Sequence, residues 1–359
     1  MLSERQAYLA FNLVDGIGSA TVEKLAAEAG SVAAAWEKYP KRNARQGGEV
    51  DLTGELARAR RFGTTIVTPA DEEYPAILKT APGRPLALYV KGSVEALNKP
   101  AIAVVGTRRA TSGGLNTANR LSYDLCKAGW SIVSGLAVGI DASAHRGALD
   151  ADGVTVGVLG SGLDEFYPEQ NRDLAREIVR RGGAVVSEFP FGRKPDRETF
   201  PIRNHVVAAL ARGLVAVEAP AKSGTLITAD IACELGRTVM AVPGRIDDRM
   251  SAGCLRLIRS GSILVRNADD VLDALAELFP RRAKCAEAEE RERAAADEDR
   301  PAYSPEEALL MLHVDREGVS LDELARLTEL PIEKVSSVAM VLRLKGFIRF
   351  LPGNRIAAC

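Results

Sequence analysis

Apolar positions recur with a helical period over the first part of the chain and then change character. "SERQAYLAFNLV", the turn "DGIG", "SATVEKLAAEAG" and "SVAAAWEKY" predict a small helical domain over residues 1–63. From about Thr64 the apolar residues are β-branched and come in short runs separated by turns, beginning with "TTIVTP" and "LALYVKG". Six further runs, "AIAVVG", "SIVSG", "TVGVLG", "AVVSEFP", "LVAVEAP" and "TVMAVPG", are each followed by a turn and a helix-period stretch. Strands that are apolar without alternation are buried on both faces, as in a parallel sheet covered by helices on each side. Right-handed crossovers then predict an α/β fold over residues 64–280, an extended Rossmann-like, doubly wound parallel sheet.

Past Leu278 the pattern is lost. Residues 281–302, within "FPRRAKCAEAEERERAAADEDRPAYS", are dense in both charges and predict a solvated linker. Over residues 303–359 periodicity returns. "SPEE" at 304–307 and "SLDE" at 320–323 are capping boxes, the first with Pro at the first helical position. A third helix starts at Pro331, and "FIRFL", the turn "PGN" and "RIAA" predict a two-stranded wing, so the order is that of a winged helix.

Composition narrows the class. Apolar residues at 46% and charged residues at 26% are ordinary for a globular chain of 359 residues, which is long enough for two or three domains. No run approaches the 18 or so apolar residues of a membrane helix, and the first residues resemble neither a secretory signal nor a transit segment, so a cytoplasmic location is expected. Five cysteines without CxxC spacing and three scattered histidines predict neither a metal site nor a disulfide framework. A net charge of -1 means that any nucleic-acid site must be a local concentration of cations.

Ligands of a doubly wound sheet bind at the carboxyl ends of its strands, so the loops there hold the candidates. After the first core strand comes Gly106, Thr107, Arg108 and Arg109; after the second, Ser134 and Gly135. The fourth is followed by a loop containing Phe200, Arg203 and Asn204, and the fifth by Lys222, Ser223, Gly224 and Thr225. In the last group a lysine precedes residues that open a helix, whose free N–H groups, with the ammonium and hydroxyls, would hold a phosphate. Ser223 and Thr225 could instead merely cap that helix. Phe189, Phe191 and Phe200 are interleaved with Arg193, Lys194, Arg197 and Arg203, a pattern suited to stacking bases while neutralising phosphates, with Phe200 expected in the site and the other two divided between site and core.

Ordinary catalytic signatures are missing. "VVGTRRATSGG" lacks the middle glycine of G-x-G-x-x-G, "APAKSGT" is not a Walker A motif, and no G-x-S-x-G elbow occurs. Asp141 and His145, at i and i+4, could be an acid and base, or a cap and a core histidine. No catalytic set, cofactor or metal is expected, and several phosphate-sized sites without one point to a polyanion.

The ordered run "VVGTRRAT", "SGLAVGIDASAHRGAL", "VLGSGLDEFYPEQN", "SEFPFG", "FPIRN", "SGTLITA" and "AVPGRI" resembles the DprA/Smf family of bacterial DNA-processing proteins over roughly residues 70–275. The resemblance implies binding of single-stranded DNA without strong sequence preference, loading of RecA onto it, and a homodimer built on the Rossmann domain. It carries the family's Gly-Ser/Thr-Arg turn onto Gly106, Thr107 and Arg108, with Arg108 the phosphate contact. Its Phe-Pro-x-Arg-Asn segment falls on Phe200, Pro201, Arg203 and Asn204, and its Lys/Arg-Ser-Gly-Ser/Thr turn on Lys222 to Thr225. Val138 and His205 stand where the family commonly has arginine, which implies weaker binding or a pH dependence through His205. "LVDGIGSATVEKL" is similar to a helix-hairpin-helix with Gly16 and Gly18 at a phosphate, or is a plain packing unit; the third winged helix, with Lys334, Arg343 and Lys345 as its cations, suits protein contacts better than groove docking. Two other readings stay open: a nucleotide-processing enzyme similar to the phosphoribohydrolases, with Glu234 as the available acid, and a nucleotide sensor with a winged-helix output.

Overall fold

A computed structural model describes residues 2–39, 50–276, 304–315, 318–351 and 355–358. The expected linker at 281–302 and the "PGN" turn lie outside the described residues. The chain divides into two compact units, Met1–Phe279 and Pro280–Cys359.

The first unit opens with three helices, α1 (Glu4–Asn12), α2 (Ser19–Ala29) and α3 (Val32–Lys38). They share a core in which Phe11 meets Trp36 edge-on, ring centroids 5.0 Å apart. Glu4 accepts the first N–H groups of α3, from Val32 at 3.2 Å and Ala33 at 3.1 Å, placing a carboxylate where the helix dipole favours it. A fourth helix, α4 (Leu52–Phe62), follows. These helices are pinned to the sheet by Arg5, which donates to Ile66 O at 2.7 Å, by Asn12, which donates to Glu188 O at 3.2 Å, and by the buried Glu55, which accepts from Phe191 N–H at 2.9 Å. Burial pushes the Glu55 carboxyl up, against that N–H bond.

The sheet has nine strands in the order β1-β2-β6-β5-β4-β3-β7-β8-β9. The first two, β1 (Thr65–Val67) and β2 (Leu88–Gly92), are antiparallel additions at one edge. The rest are parallel: β3 (Ala101–Val105), β4 (Ser131–Ser134), β5 (Thr155–Val158), β6 (Ala184–Ser187), β7 (Gly213–Ala216), β8 (Thr238–Ala241) and β9 (Ile263–Leu264). Every residue of β3 is buried, and the pleat sends Ala103 and Val105 to one core and Ile102 and Val104 to the other. Helices α5 (Ala76–Lys79), α9 (Thr199–Leu210) and α10 (Gly224–Glu234) contribute to the first core; α6 (Ser112–Lys127) and α7 (Ile140–Asp150) contribute to the second. Three more complete this unit, α8 (Arg172–Arg180), α11 (Ala252–Arg259) and α12 (Ala268–Ala276). The chain winds outward from β3 through β4, β5 and β6, then returns to lay β7 on the other side of β3. That reversal is the topological switch point, and it opens a crevice above the ends of β3 and β7.

The second unit is a winged helix, with helices α13 (Pro305–Met311), α14 (Leu321–Thr328) and α15 (Ile332–Leu344) and strands β10 (Val319–Ser320), β11 (Ile348–Leu351) and β12 (Arg355–Ala358). Ser304 and Glu307 form the full expected capping box, whereas Ser320 shows its N-cap half, accepting from Glu323 N–H at 3.2 Å. The wing differs from the expected pair of strands: β10 joins the far side of β12, giving the order β10-β12-β11. The three cations noted on its third helix are engaged within the unit: Lys334 pairs with Glu306 at 3.0 Å, Lys345 with both Glu307 oxygens at 2.8 Å, and Arg343 lies 5.4 Å from the Phe350 ring centroid. Among the described residues no helix is long and apolar enough to cross a membrane.

Candidate nucleic-acid interface

The crevice at the switch point is a cleft of about 390 Å³. Of the thirteen candidate residues, all but Ser134 line it. Two loops from neighbouring strands make its walls. Gly106 to Arg109 leave β3, and Thr107 is fixed from both sides, its N–H donating to Glu218 O at 2.7 Å and its Oγ1 accepting from Arg109 N–H at 3.2 Å. Gly106 is required because a Cβ would run into the Ile140 side chain. Gly139, at φ +88, is required because a Cβ would strike the Thr107 carbonyl. The loop is therefore seated on the start of α7 and presents Arg108 and Arg109 outward, both exposed.

On the opposite wall, Ser223 caps α10, its Oγ accepting from Thr225 N–H at 3.2 Å and donating to Thr225 Oγ1 at 3.0 Å. The capping reading of Ser223 and Thr225 thus holds, and it coexists with a place in the cleft. Lys222 is exposed beside them, and a Cβ on Gly224 would meet nothing within 4 Å, so the first turn of α10 is open. Arg108, Arg109 and Lys222 make no ion pair among the described residues. Three cations and a helix N-terminus thus converge on one space with their charge uncompensated.

Between the walls lies Phe200, half-buried, with the Arg108 guanidinium 4.9 Å and that of Arg203 5.9 Å from its ring centroid. Phe189 and Phe191 are 4% and 3% exposed and belong to the core, which settles the division among the three. Asn204 accepts from Arg203 Nε at 3.1 Å.

Two candidates are placed differently from the sequence expectation. Arg203 is buried, and its Nη1 donates to Gly135 O and, at 3.0 Å, to Val158 O. It braces the cleft floor, because the strand-end carbonyls of β4 and β5 need a donor there. Ser134 is fully buried below the floor, its hydroxyl donating to Val104 O at 2.7 Å, so it is a strut between strands and offers nothing to a ligand. Asp141 accepts from Gly135 N–H at 3.1 Å and Ala137 N–H at 3.4 Å. Burial pushes its carboxyl up, opposed by the charge of Arg203, while burial pushes Arg203 down, opposed by Asp141. His145 is buried against Thr155, 2.7 Å from Nδ1 to Oγ1, so both members of the possible acid–base pair are bonded as structural groups.

His205 does not reach the cleft. Its Nε2–H donates to Pro82 O at 2.9 Å over Gly83, and burial foremost holds its pKa below the usual value. The expected pH dependence through His205 has no geometric basis. Val138, at the other departure, lines a smaller cleft beside Phe200. Glu234 ends α10, about 15 Å along the helix from Gly224 at 1.5 Å per residue, so it supplies no acid to the cleft.

Two contributors were missed by sequence reasoning: Glu218 fixes the β3 loop, and Tyr167 stands exposed 6.1 Å from Phe200, centroid to centroid. Asp141, read from the sequence as a possible acid or a cap, holds the β4 loop. Of the two that were missed, only Tyr167 had a sequence signal, as an aromatic residue in the loop following a core strand.

An extended Rossmann-like sheet with a cationic cleft at its switch point, followed in the chain by a winged helix, defines a class of multidomain α/β proteins. Residues 65–276 match the family model described as DNA recombination-mediator protein A, and residues 291–354 match the DprA winged helix domain. The chain belongs to the DprA/Smf family of DNA-processing proteins. It is 32% identical to Protein Smf of Synechocystis over 99% of both chains, and 36% identical to Protein Smf of Escherichia coli over 80% of this chain and 76% of that one. Among solved structures it resembles DNA processing protein A of Streptococcus pneumoniae, with a TM-score of 0.63 and 30% identity over 76% of this chain and 98% of that one. It also resembles DNA processing protein A of Helicobacter pylori, whose structure was solved for its single-stranded DNA binding mode, with a TM-score of 0.54 and 28% identity over 60% and 98% of the two chains.

Proposed function

We propose that the cleft binds the backbone of single-stranded DNA and that the protein is a non-catalytic recombination mediator, acting in the cytoplasm. The observation that carries this reading is the convergence of Arg108, Arg109 and Lys222, unpaired among the described residues, on the open first turn of α10. In it, Arg108, Arg109 and Lys222 neutralise phosphates, Gly106, Thr107, Ser223, Gly224 and Thr225 offer backbone and hydroxyl donors, and Phe200 stacks a base. Gly135, Arg203 and Asn204 hold the floor. A non-catalytic role is favoured because the one carboxylate lining the cleft among the described residues, Asp141, is committed to Gly135 and Ala137.

Protection of the strand, delivery to RecA and a homodimer built on the Rossmann domain complete the proposal, supported by family membership. The test of binding is a titration of oligo-dT against salt. Each phosphate neutralised on a single strand contributes about 0.7 to the log–log slope, so Arg108→Ala should weaken binding and flatten the slope by about that amount. Failure to bind any single strand at low salt would sink the reading. Delivery is tested by whether the protein speeds RecA filament growth on strand already coated by a single-stranded DNA binding protein.

A further inference from the structure

Leu136, in the loop after β4, has φ +55, in the left-handed region that an apolar side chain rarely enters. It is held there from α8 in two ways. Its side chain is fully buried in a core shared with Ala175 and Ile178 of that helix, in the space that a Cβ on Gly157 would fill. Its carbonyl accepts from Asn171 Nδ2 at 2.8 Å. Asn171 is 3% exposed and stands at the N-cap of α8, where an asparagine ordinarily turns its side chain back to accept a helix N–H. Here it makes no such bond, and its amide reaches a carbonyl 35 residues earlier in the chain instead. The left-handed residue turns the N–H groups on either side of it, those of Gly135 and Ala137, toward one point, where Asp141 Oδ2 accepts both. From there the loop runs to Gly139, packed too closely on Thr107 for a Cβ, and to Ile140, which donates its N–H to the Thr107 carbonyl at 3.3 Å. Arg108 is the next residue.

We propose that Asn171 is a positioning residue for single-strand binding: it holds Leu136 in the left-handed conformation, and the loop so shaped is the seat that aims Arg108 into the cleft. The proposal rests on the reading of the main cleft as a single-strand site. Asn171 is not among the residues that line the cleft, so it acts only through the loop. A leucine released from that bond relaxes toward negative φ, because its own side chain favours no left-handed backbone. The N–H groups of Gly135 and Ala137 then diverge, Asp141 can no longer accept both, and the seat under Thr107 shifts. Because Asn171 makes no cap bond, this role and the stability of α8 are separable. A residue that caps α8 without reaching Leu136 mends the helix and leaves the loop unheld.

The test uses the full chain and oligo-dT, titrated over a salt series well below the melting temperature. Asn171→Ala removes the amide and leaves α8 without a capping side chain, whereas Asn171→Ser supplies a favourable, uncharged cap on a shorter side chain. Both variants should bind roughly tenfold more weakly than the wild type, the loss of about one charge-assisted hydrogen bond, with a salt slope flatter by about 0.7. Asn171→Ser should melt at a higher temperature than Asn171→Ala and yet bind no better. A cycle with Arg108→Ala reads the route: if Asn171 acts through Arg108, adding Asn171→Ser to Arg108→Ala weakens binding by less than about twofold further. The proposal is overturned if Asn171→Ser binds like the wild type, if affinity follows melting temperature across the two variants, or if the losses of Asn171→Ser and Arg108→Ala multiply. Absence of binding by the wild-type chain is a separate outcome that removes the main cleft reading and the positioning role with it.

Discussion

Glu218 grips Thr111 with both carboxylate oxygens, Oε2 accepting its backbone N–H at 2.9 Å and Oε1 its hydroxyl at 2.6 Å. The Thr111 oxygen in turn accepts from Gly114 N–H at 3.0 Å and so caps α6. Glu218 is 8% exposed and its own carbonyl accepts from Thr107, so one residue at the end of β7 fixes both ends of the loop that carries Arg108 and Arg109. Glu218→Ala would remove both acceptors of Thr111, and a hydrogen bond to a charged group contributes about 1.5–3 kcal/mol. We expect a lower urea midpoint together with weaker oligo-dT binding and a shallower salt slope, since both arginines lose their anchor. Unchanged affinity in a destabilised variant would mean that the loop needs no such anchor to bind.

Arg203 and Asp141 both crowd Gly135, where a Cβ would collide with both side chains. With Arg203 buried, Asp141→Asn leaves its charge without a counter-charge. Breaking a buried charge pair from one side costs about 3–5 kcal/mol. The stability of Asp141→Asn, Arg203→Met and the double variant should therefore be non-additive by at least about 1 kcal/mol, measured by urea unfolding. Additive losses would show that the two groups are stabilised independently.

The parallel strands and the site loops were legible because each depends on local chemistry. An unbroken apolar run such as that of β3 has few alternatives to a sheet covered on both faces. The cap at Ser223 is also set by neighbouring residues, whereas Gly106 shows in the sequence as a turn residue but is required by the distant Ile140 side chain. What could not be read depends on partners distant in sequence. Arg203 sits among candidate ligands, yet carbonyls of Gly135 and Val158 claim it. Likewise Pro82 claims His205, and Thr111 claims Glu218, an isolated acid in "VEAP" with no periodic signature. The third wing strand was missed for a different reason: Val319–Ser320 is too short to show any alternation.

His145 should shape the acid limb of the stability curve. Thr155 donates its hydroxyl hydrogen to Ile132 O at 2.8 Å, so His145 Nδ1 carries the proton that Thr155 Oγ1 accepts, and Nε2 is left bare, buried and unpartnered. Burial first, and the charge of Arg203 second, lower its pKa from 6.5 to about 3. Below 6.5 the unfolded chain binds a proton that the folded chain refuses, so stability falls as pH drops from there toward about 3. The contribution is about 1.4 kcal/mol per pH unit. His145→Asn keeps an N–H for Thr155 and does not titrate. The difference in stability between wild type and variant should shift in favour of the variant by that slope as urea unfolding is repeated from about pH 6 to about pH 5. Equal slopes for the two proteins would rule the account out.

Gly224 separates stability from binding. It opens α10, its backbone needs no left-handed conformation, and a Cβ there would meet no protein atom within 4 Å. On the protein side alone, Gly224→Ala is free of strain, and removing a glycine from a helix stabilises it by up to about 1 kcal/mol. On the ligand side the same methyl group stands where a phosphate must approach the N–H groups of the first turn, in a cleft already walled by Lys222 and Arg108. The variant is therefore expected to melt at or above the wild-type temperature and to bind oligo-dT at least about tenfold more weakly, the loss of about one charge-assisted hydrogen bond. Gly106→Ala, by contrast, meets the Ile140 side chain and should lose stability as well. If Gly224→Ala melts as expected and binds like the wild type, the strand does not contact the start of α10, and the path must be redrawn along the Arg108 wall alone.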